Sequence, residues 1–171
     1  MKGYVQIYSG DGKGKTTAAM GLALRAAGAG LKVFIAQFIK SGKYSEIKAL
    51  ERFSDLITIK QYGLGRFIRN TPSDKDRAMA QKGIQEIEAI LTKGHVAVMI
   101  LDEINVAVKL GLISVDKMLH LLDLRPDHME LILTGRDADP ALLEKADLIT
   151  EMTCVRHYFA AGVPAREGIE K

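Results

Sequence analysis

Short apolar runs and segments with helical apolar spacing alternate along the chain from its first residues to about position 154. The runs that predict β-strands are 4–8, 32–38, 56–61, 96–101, 129–133 and 148–154. The segments that predict helices are 15–29, 45–53, 73–92, 105–110, 114–122 and 140–146. Strands separated by helices pair in parallel, because each connection crosses over the sheet and leaves its helix on one face. The pattern therefore predicts an α/β fold with a mostly parallel six-stranded sheet and helices on both faces.

Two stretches lack such a pattern. Residues 62–72 are punctuated by Gly63, Gly65 and Pro72, which predicts an irregular loop. The tail from about residue 159 contains glycine and proline, and the pattern assigns it no element. No internal repeat or linker interrupts the sequence, so we predict a single domain over residues 1–171.

The composition is that of an ordinary globular domain: 47% of the 171 residues are hydrophobic and 26% are charged. The formal net charge of +3 comes from basic residues scattered among acidic ones, so no nucleic-acid partner is predicted. No apolar run approaches the roughly 18 residues of a membrane span and no signal peptide is recognisable. We therefore expect a cytoplasmic protein without a membrane partner. The one cysteine, Cys154, is predicted to be a buried apolar residue of the last strand.

Residues 9–17 read Ser-Gly-Asp-Gly-Lys-Gly-Lys-Thr-Thr and lie between the first strand and the first helix. A glycine-rich turn at such a junction directs backbone N–H groups and the positive end of the helix at an anion. In these phosphate loops the lysine, here Lys15, reaches the β- and γ-phosphates, and the hydroxyl of Thr16 binds Mg²⁺. The usual pattern begins with glycine, where this chain has Ser9. The predicted nucleotide contacts are Ser9, Gly10, Asp11, Gly12, Lys13, Gly14, Lys15, Thr16 and Thr17.

Two carboxylates follow the apolar run 96–101, at Asp102 and Glu103. Carboxylates at the end of such a strand hold Mg²⁺ in nucleotide sites, directly or through water. Asp102 is equally suited to cap the helix that begins near Asn105, and one carboxylate can cap while the other meets the metal. We predict metal ligands at Thr16, Glu103 and Asp102, with Glu103 favoured over its neighbour.

Arg136 follows another predicted strand and belongs to the same sheet edge, where an arginine can bind phosphate through two hydrogen bonds. The alternative is a surface ion pair with Asp137 or Asp139. None of the four histidines has a helical partner at metal-binding spacing, which argues against a histidine metal cluster. His157 is the only histidine that we keep as a candidate contact.

The loop 62–68 carries Leu64 between its two glycines and Phe67 and Ile68 after them. Loops at the functional edge of a rigid scaffold often contact the substrate, and exposed apolar side chains suit a large, flat ligand. The alternatives are a small satellite core and a subunit interface.

Several elements of other nucleotide enzymes are missing from the sequence. It contains no arginine-rich lid, no guanine-reading Asn-Lys-x-Asp and no evident base for a hydrolytic water. These absences favour a site that holds a triphosphate over one that transfers its terminal phosphoryl group.

The phosphate loop, continued as residues 10–19, closely resembles that of the P-loop ATP:corrinoid adenosyltransferases, including the missing first glycine. The resemblance continues in the same order through 37–40 (Gln-Phe-Ile-Lys), 101–103 (Leu-Asp-Glu), 125–126 (Arg-Pro), 134–136 (Thr-Gly-Arg) and 160–163 (Ala-Ala-Gly-Val). It covers nearly the whole chain. It implies a nucleotide-binding domain of the P-loop NTPase, RecA-like fold.

The resemblance also implies a reaction: the 5′-deoxyadenosyl group of ATP passes to the Co(I) centre of a corrinoid, and inorganic triphosphate leaves. It implies Mg²⁺ (or Mn²⁺) as cofactor, ATP as co-substrate, and Lys15 and Glu103 as catalytic residues. Arg136 then joins the nucleotide contacts. A homodimer and a reductase that supplies Co(I) complete the expected partners.

Corrinoid-binding residues implied by the resemblance are Gly63, Leu64, Phe67 and Glu46. The chain departs from the family here, because the positions of the family's aromatic residues hold Leu64 and Arg66. Phe67 lies one place away and is the candidate substitute.

Two other functions fit the phosphate loop alone. A P-loop ATPase or small-molecule kinase would give ADP as product. A non-enzymatic, nucleotide-responsive binding module would bind ATP tightly without turnover and engage a protein through the loop 62–68.

Overall fold

The computed structural model describes residues 2–42, 44–65, 68 and 71–170. Its strands are β1 (Val5–Ser9), β2 (Val33–Phe38), β3 (Ile57–Tyr62), β4 (Val98–Asp102), β5 (Glu130–Thr134) and β6 (Leu148–Glu151). Its α-helices are α1 (Lys15–Gly28), α2 (Ser45–Leu50), α3 (Asp74–Lys93), α4 (Ile104–Lys109), α5 (Val115–Leu124) and α6 (Pro140–Lys145). Short 3₁₀ turns occur at Glu51–Phe53 and Tyr158–Ala161. Each predicted element is present, with ends displaced by a few residues.

The six strands form one sheet in the order β3-β2-β4-β5-β1-β6, and each of its neighbouring pairs is parallel. The predicted α/β class and six-stranded sheet are confirmed. β5 lies between the strand that feeds the phosphate loop and the strand that ends at Asp102. The carboxyl ends of these three strands therefore share one edge, where open α/β sheets bind their ligands.

Helices cover both faces, as the alternating pattern predicts. On one face, the alanine-rich side of α1 packs on residues such as Ile35 and Ile100, both fully buried. On the other face, α3, α4, α5 and α6 pack on residues such as Phe38, Met99 and Leu133. A parallel sheet buried on both faces explains why its central strands are continuously apolar.

The long helix α3 has the ends that its sequence predicts. Ser73 accepts a hydrogen bond from the N–H of Asp76, whose carboxylate accepts one from Ser73 in return. Gly94 ends the helix in the left-handed conformation, with φ 63°. None of the helices in the described part of the chain combines the length and apolar character needed to cross a membrane.

The last strand is shorter than predicted. β6 is an edge strand whose one partner among the described strands is β1, and both leave the sheet where the phosphate loop begins. Cys154 lies beyond its end and is partly exposed, so its prediction as a buried strand residue is wrong. Its backbone N–H donates to Asp11 Oδ1 at 3.1 Å, a contact within the site and not within the sheet.

Candidate active site

A cavity of about 730 Å³ opens at the carboxyl edge of the sheet. Its walls come from the phosphate loop, α1, α2, the ends of β2, β4 and β5, and the carboxyl-terminal tail. The predicted site residues that line it are Gly12, Lys13, Lys15, Thr16, Thr17, Glu46, Glu103, Arg136 and His157. A strand-to-helix turn, helix α2, the ends of three strands and a tail far away in sequence thus form one site.

The phosphate loop needs its glycines because the chain after β6 packs directly on it. A Cβ at Gly10 or Gly12 would lie 2.5 or 2.6 Å from the carbonyl oxygen of Met152. The same oxygen accepts a hydrogen bond of 2.6 Å from the Gly12 N–H. Gly14, with φ 120°, turns the chain into α1. The loop is therefore held from outside by residues that follow the edge strand.

Lys15 is the most enclosed cation of this loop, with a relative exposure of 8%. Its ammonium group donates to the carbonyl oxygens of Gly10 at 2.6 Å and Gly12 at 2.7 Å. Burial lowers the Lys15 pKa, and the positive charge of Arg136 lowers it further. Both hydrogen-bond partners of this ammonium group are neutral carbonyl oxygens, and a polyphosphate would give it a negatively charged partner.

The carboxylate of Asp102 is fully buried and organises the floor of the site. Its Oδ1 accepts hydrogen bonds from the hydroxyls of Thr134 at 2.7 Å and Thr16 at 2.9 Å. Its Oδ2 accepts one from the side-chain amide of Gln37 at 3.1 Å. The alternative prediction, that Asp102 caps the next helix, is wrong. The cap position of α4 is Glu103, which has a left-handed backbone and makes no side-chain capping bond.

Glu103 has a left-handed backbone, with φ 60°, which is uncommon for a residue with a side chain. Its N–H donates to the Thr134 hydroxyl at 3.0 Å, which fixes the turn. Its side chain lines the cavity and is 22% exposed, whereas Asp102 lies behind it. The two adjacent carboxylates thus differ in role: Asp102 orients the Thr16 hydroxyl, and Glu103 faces the ligand space.

Lys40 belongs to this floor, although the sequence patterns gave it no role. Its ammonium nitrogen lies 2.9 Å from Thr16 Oγ1 and 3.2 Å from Glu103 Oε1, and it also donates to Asp102. Burial favours the neutral amine, but the charges of Asp102 and Glu103 outweigh it and raise the Lys40 pKa. The signal in the sequence is its position: it lies two residues after a wholly buried strand, at the functional edge.

The outer wall comes from the tail that the sequence left unassigned. The Lys13 ammonium donates to Glu170 Oε1 at 2.9 Å and to the Tyr158 hydroxyl at 3.1 Å. Arg166 donates to both carboxylate oxygens of Glu170, at 3.1 and 3.2 Å. Gly168 and Glu170 themselves line the cavity. The tail therefore lies across the mouth of the phosphate loop.

Arg136 is exposed and lines the cavity, where its positive charge lowers the pKa of Lys15. The two aspartates proposed as its alternative partners have other contacts. Asp137 pairs with Lys109 at 3.0 Å, and Asp139 caps α6 by accepting a hydrogen bond from the backbone.

The described residues of the loop after β3 do not line the cavity. Gly63 packs on the turn after β2, where a Cβ would meet the carbonyl carbon of Ile39 at 2.3 Å. Leu64 is 40% exposed, and Ile68 packs against the core on the α3 face. Arg66 and Phe67, and with them the predicted aromatic substitute, lie outside the described residues.

A family model matches this chain over residues 1–170, and its description is "ATP:corrinoid adenosyltransferase BtuR/CobO/CobP". The chain belongs to the ATP:corrinoid adenosyltransferase family. Proteins named corrinoid adenosyltransferase are similar over almost its full length. That of Pseudomonas aeruginosa is 35% identical over 170 residues, which cover 99% of this chain and 84% of that protein. That of Escherichia coli K12 is 34% identical over 170 residues, covering 99% and 86%.

Membership in the adenosyltransferase family confirms the resemblance that the sequence motifs indicated. It confirms the P-loop NTPase type of fold, the enzyme class and the function as an ATP:corrinoid adenosyltransferase of adenosylcobalamin synthesis or salvage. ATP and a corrinoid are the substrates that fit this family.

Proposed function

We propose that this chain transfers the 5′-deoxyadenosyl group of ATP to the Co(I) centre of a corrinoid, within one nucleotide-binding domain. The electron pair of Co(I) forms the cobalt–carbon bond at C5′, the C5′–oxygen bond breaks, and inorganic triphosphate leaves with the electron pair of that broken bond. The observation that carries the proposal is the cavity floor, where Lys15 and Thr16 lie beside the carboxylates of Asp102 and Glu103. This arrangement suits a polyphosphate leaving group and requires no hydrolytic base.

Stabilisation of the triphosphate is the main task of the phosphate loop in this proposal. Lys15, Lys13 and Arg136 line the cavity and supply positive charge, and the loop N–H groups add hydrogen-bond donors. Donors placed in advance around the leaving group stabilise the charge that develops as the C5′–oxygen bond breaks. Holding C5′ in line with cobalt supplies the rest of the acceleration.

The donor atoms at the floor fit a magnesium or manganese ion. Thr16, Asp102 and Glu103 offer hydroxyl and carboxylate oxygens, which are the ligands that Mg²⁺ prefers. An ammonium group already lies among these oxygens, so the position favours a cation. Within the described residues, no group of three or more His, Cys, Asp or Glu side chains could hold a metal ion. When bound, the ion would neutralise part of the triphosphate charge.

Corrinoid contacts are proposed at Glu46, which lines the cavity on α2, and at Gly63, Leu64 and Phe67 of the loop that follows β3. A Co(I) corrinoid is a strong reductant, so a reductase must supply electrons. We also propose a homodimer. The edge strand β6, whose Leu148 and Ile149 are 45% and 51% exposed, is a surface that a second subunit would protect.

The deciding experiment is an anaerobic incubation with ATP, Mg²⁺ and chemically reduced cob(I)alamin. We expect a light-sensitive cobalt–carbon bond in the visible spectrum and one triphosphate released per corrinoid alkylated. ADP with orthophosphate and an unchanged corrinoid would instead establish an ATPase or kinase. Tight ATP binding without any product would establish the binding module.

A further inference from the structure

The ammonium group of Lys40 occupies the position that the proposed function assigns to a metal ion. It lies 2.9 Å from Thr16 Oγ1, 3.2 Å from Asp102 Oδ2 and 3.2 Å from Glu103 Oε1. These three side chains are the proposed magnesium ligands. One positive group of the protein thus contacts every side chain of the donor set.

The backbone before Lys40 adopts an uncommon conformation that directs the side chain inward. Ile39 has φ 66°, in the left-handed region that β-branched residues avoid. The Lys40 N–H then donates to the carbonyl oxygen of Phe38 at 2.6 Å, which closes a tight turn. Gly63 permits this turn, because a Cβ there would lie 2.5 Å from the Lys40 carbonyl oxygen. The strained backbone of Ile39 and the close approach of Gly63 thus both fix the position of Lys40.

The charges explain what this lysine does when no nucleotide is bound. Asp102 is fully buried and Glu103 is adjacent, so two carboxylates face one small volume. Neighbouring carboxylates disfavour each other's ionised form unless a cation lies between them. The Lys40 ammonium supplies that cation and also donates a hydrogen bond to the Thr16 hydroxyl. These contacts hold the three oxygens in place.

A magnesium ion and this ammonium cannot share the position. Mg²⁺ binds its oxygens at about 2.0–2.1 Å and tolerates little deviation from octahedral geometry. The Lys40 nitrogen is already within hydrogen-bond distance of the same oxygens. Binding of the metal therefore requires the side chain of Lys40 to leave.

We infer that Lys40 is a positioning residue that acts as an internal counter-cation: before the nucleotide binds, it holds the metal-binding oxygens of Thr16, Asp102 and Glu103, and it is exchanged for Mg²⁺ when the nucleotide binds. The inference rests on the proposed metal role of those oxygens and adds a regulated order of binding. Lys40 also lines the cavity, so its released ammonium remains beside the bound triphosphate. Without nucleotide, the metal must displace the Lys40 ammonium group, which then has no new partner, so the metal binds weakly. When ATP is also bound, its phosphate oxygens are new partners for the displaced ammonium group.

The test measures Mn²⁺ binding by electron paramagnetic resonance of free Mn²⁺, with and without ATP, on the full chain. Its variants are Lys40→Gln and the matched control Lys60→Gln, which removes a lysine that pairs with Glu86 away from the site. Without nucleotide, we expect Lys40→Gln to bind Mn²⁺ at least tenfold more tightly than wild type, and Lys60→Gln to match wild type. Mn²⁺ should also raise the melting temperature of Lys40→Gln more than that of wild type.

Unchanged or weaker Mn²⁺ binding by Lys40→Gln, with ATP-dependent binding intact in wild type, would overturn the inference and leave the proposed function standing. Absence of Mn²⁺ binding in every variant even with ATP would overturn the metal assignment, and the inference with it. Lys40→Arg covers the case in which Lys40→Gln fails to fold. A guanidinium pairs with carboxylates at least as well as an ammonium does, so this variant should bind Mn²⁺ no more tightly than wild type. Tighter binding would contradict the inference.

Discussion

Lys13 and Lys15 are two residues apart in the phosphate loop, and their ammonium groups have opposite surroundings. Lys15 is buried, donates to two carbonyl oxygens of its own loop, and has a pKa lowered by that burial. Lys13 is 40% exposed in its side chain, and hydrogen bonds with Glu170 and Tyr158 raise its pKa. The inner lysine is fixed by its neighbours in sequence, and the outer one by residues about 150 positions away.

The two lysines therefore mark two ends of one cavity that differ in how strongly solvent screens their charges. At the inner end, charges are shielded from water and ions, so each group has a large effect on the reaction or on stability. At the outer end, the charges are exposed, and salt screens them. The same substitution should therefore have a larger effect at the inner end than at the outer end.

The strongest test of this contrast compares Lys15→Met with Lys13→Met. We expect Lys15→Met to lower the rate of triphosphate release by roughly 10²–10³-fold at saturating ATP, as loss of one preorganised donor does. Lys13→Met should lower it by no more than about two- to fivefold, and only at low salt. Steady-state assays for triphosphate, with circular dichroism to verify folding, measure both. Equal losses in the two variants would remove the distinction between inner and outer ends.

Asp102→Asn tests the inner end through stability instead of rate. The fully buried carboxylate would become a neutral amide, and the Lys40 ammonium beside it would lose a counter-charge. Loss of one partner of a buried ion pair predicts a decrease of about 3 kcal/mol in the free energy of unfolding. Urea denaturation of the apo protein measures it, with Glu170→Gln as the outer-end counterpart. A decrease no larger than that of Glu170→Gln would contradict the contrast.

The smallest expected effect is the pH dependence of the tail. Hydrogen bonds from Arg166, the Tyr158 hydroxyl and the Arg166 backbone lower the Glu170 pKa well below its usual range. A carboxyl group with a lowered pKa stabilises the folded arrangement fully above its unfolded pKa of about 4.3, and this contribution is lost as pH falls through the folded value.

The tail should therefore stay docked from pH 7 to about pH 5 and begin to loosen only in stronger acid. The amide chemical shifts of Gly162 and Gly168, followed by nuclear magnetic resonance, report this titration. Glu170→Gln should remove the pH dependence and should respond less to added salt than wild type. A tail transition centred between pH 5 and pH 7 would show that another group controls it.

The sequence predicted most of the fold because its signals are local. The alternation of apolar runs and helical stripes located the strands and helices to within a few residues, and Ser73 and Gly94 marked the ends of α3. The prediction failed at Cys154, because the end of an edge strand depends on where its only neighbour leaves the sheet. That position is set by the phosphate loop and not by the apolar pattern around residue 154.

For the site, the phosphate loop, the Asp102–Glu103 pair and, through the motifs that resemble the family, the reaction could be predicted from residue types alone. Each is a contiguous motif whose chemistry follows from residue types at fixed spacing. The groups that meet around those motifs become visible only in the folded chain: Lys40 contacts both carboxylates, and Glu170 contacts Lys13. Such contacts join residues 62 and 157 positions apart, and they depend on strand order, on a strained turn and on the path of the tail. No local pattern encodes these features, because each is set by the packing of the whole chain.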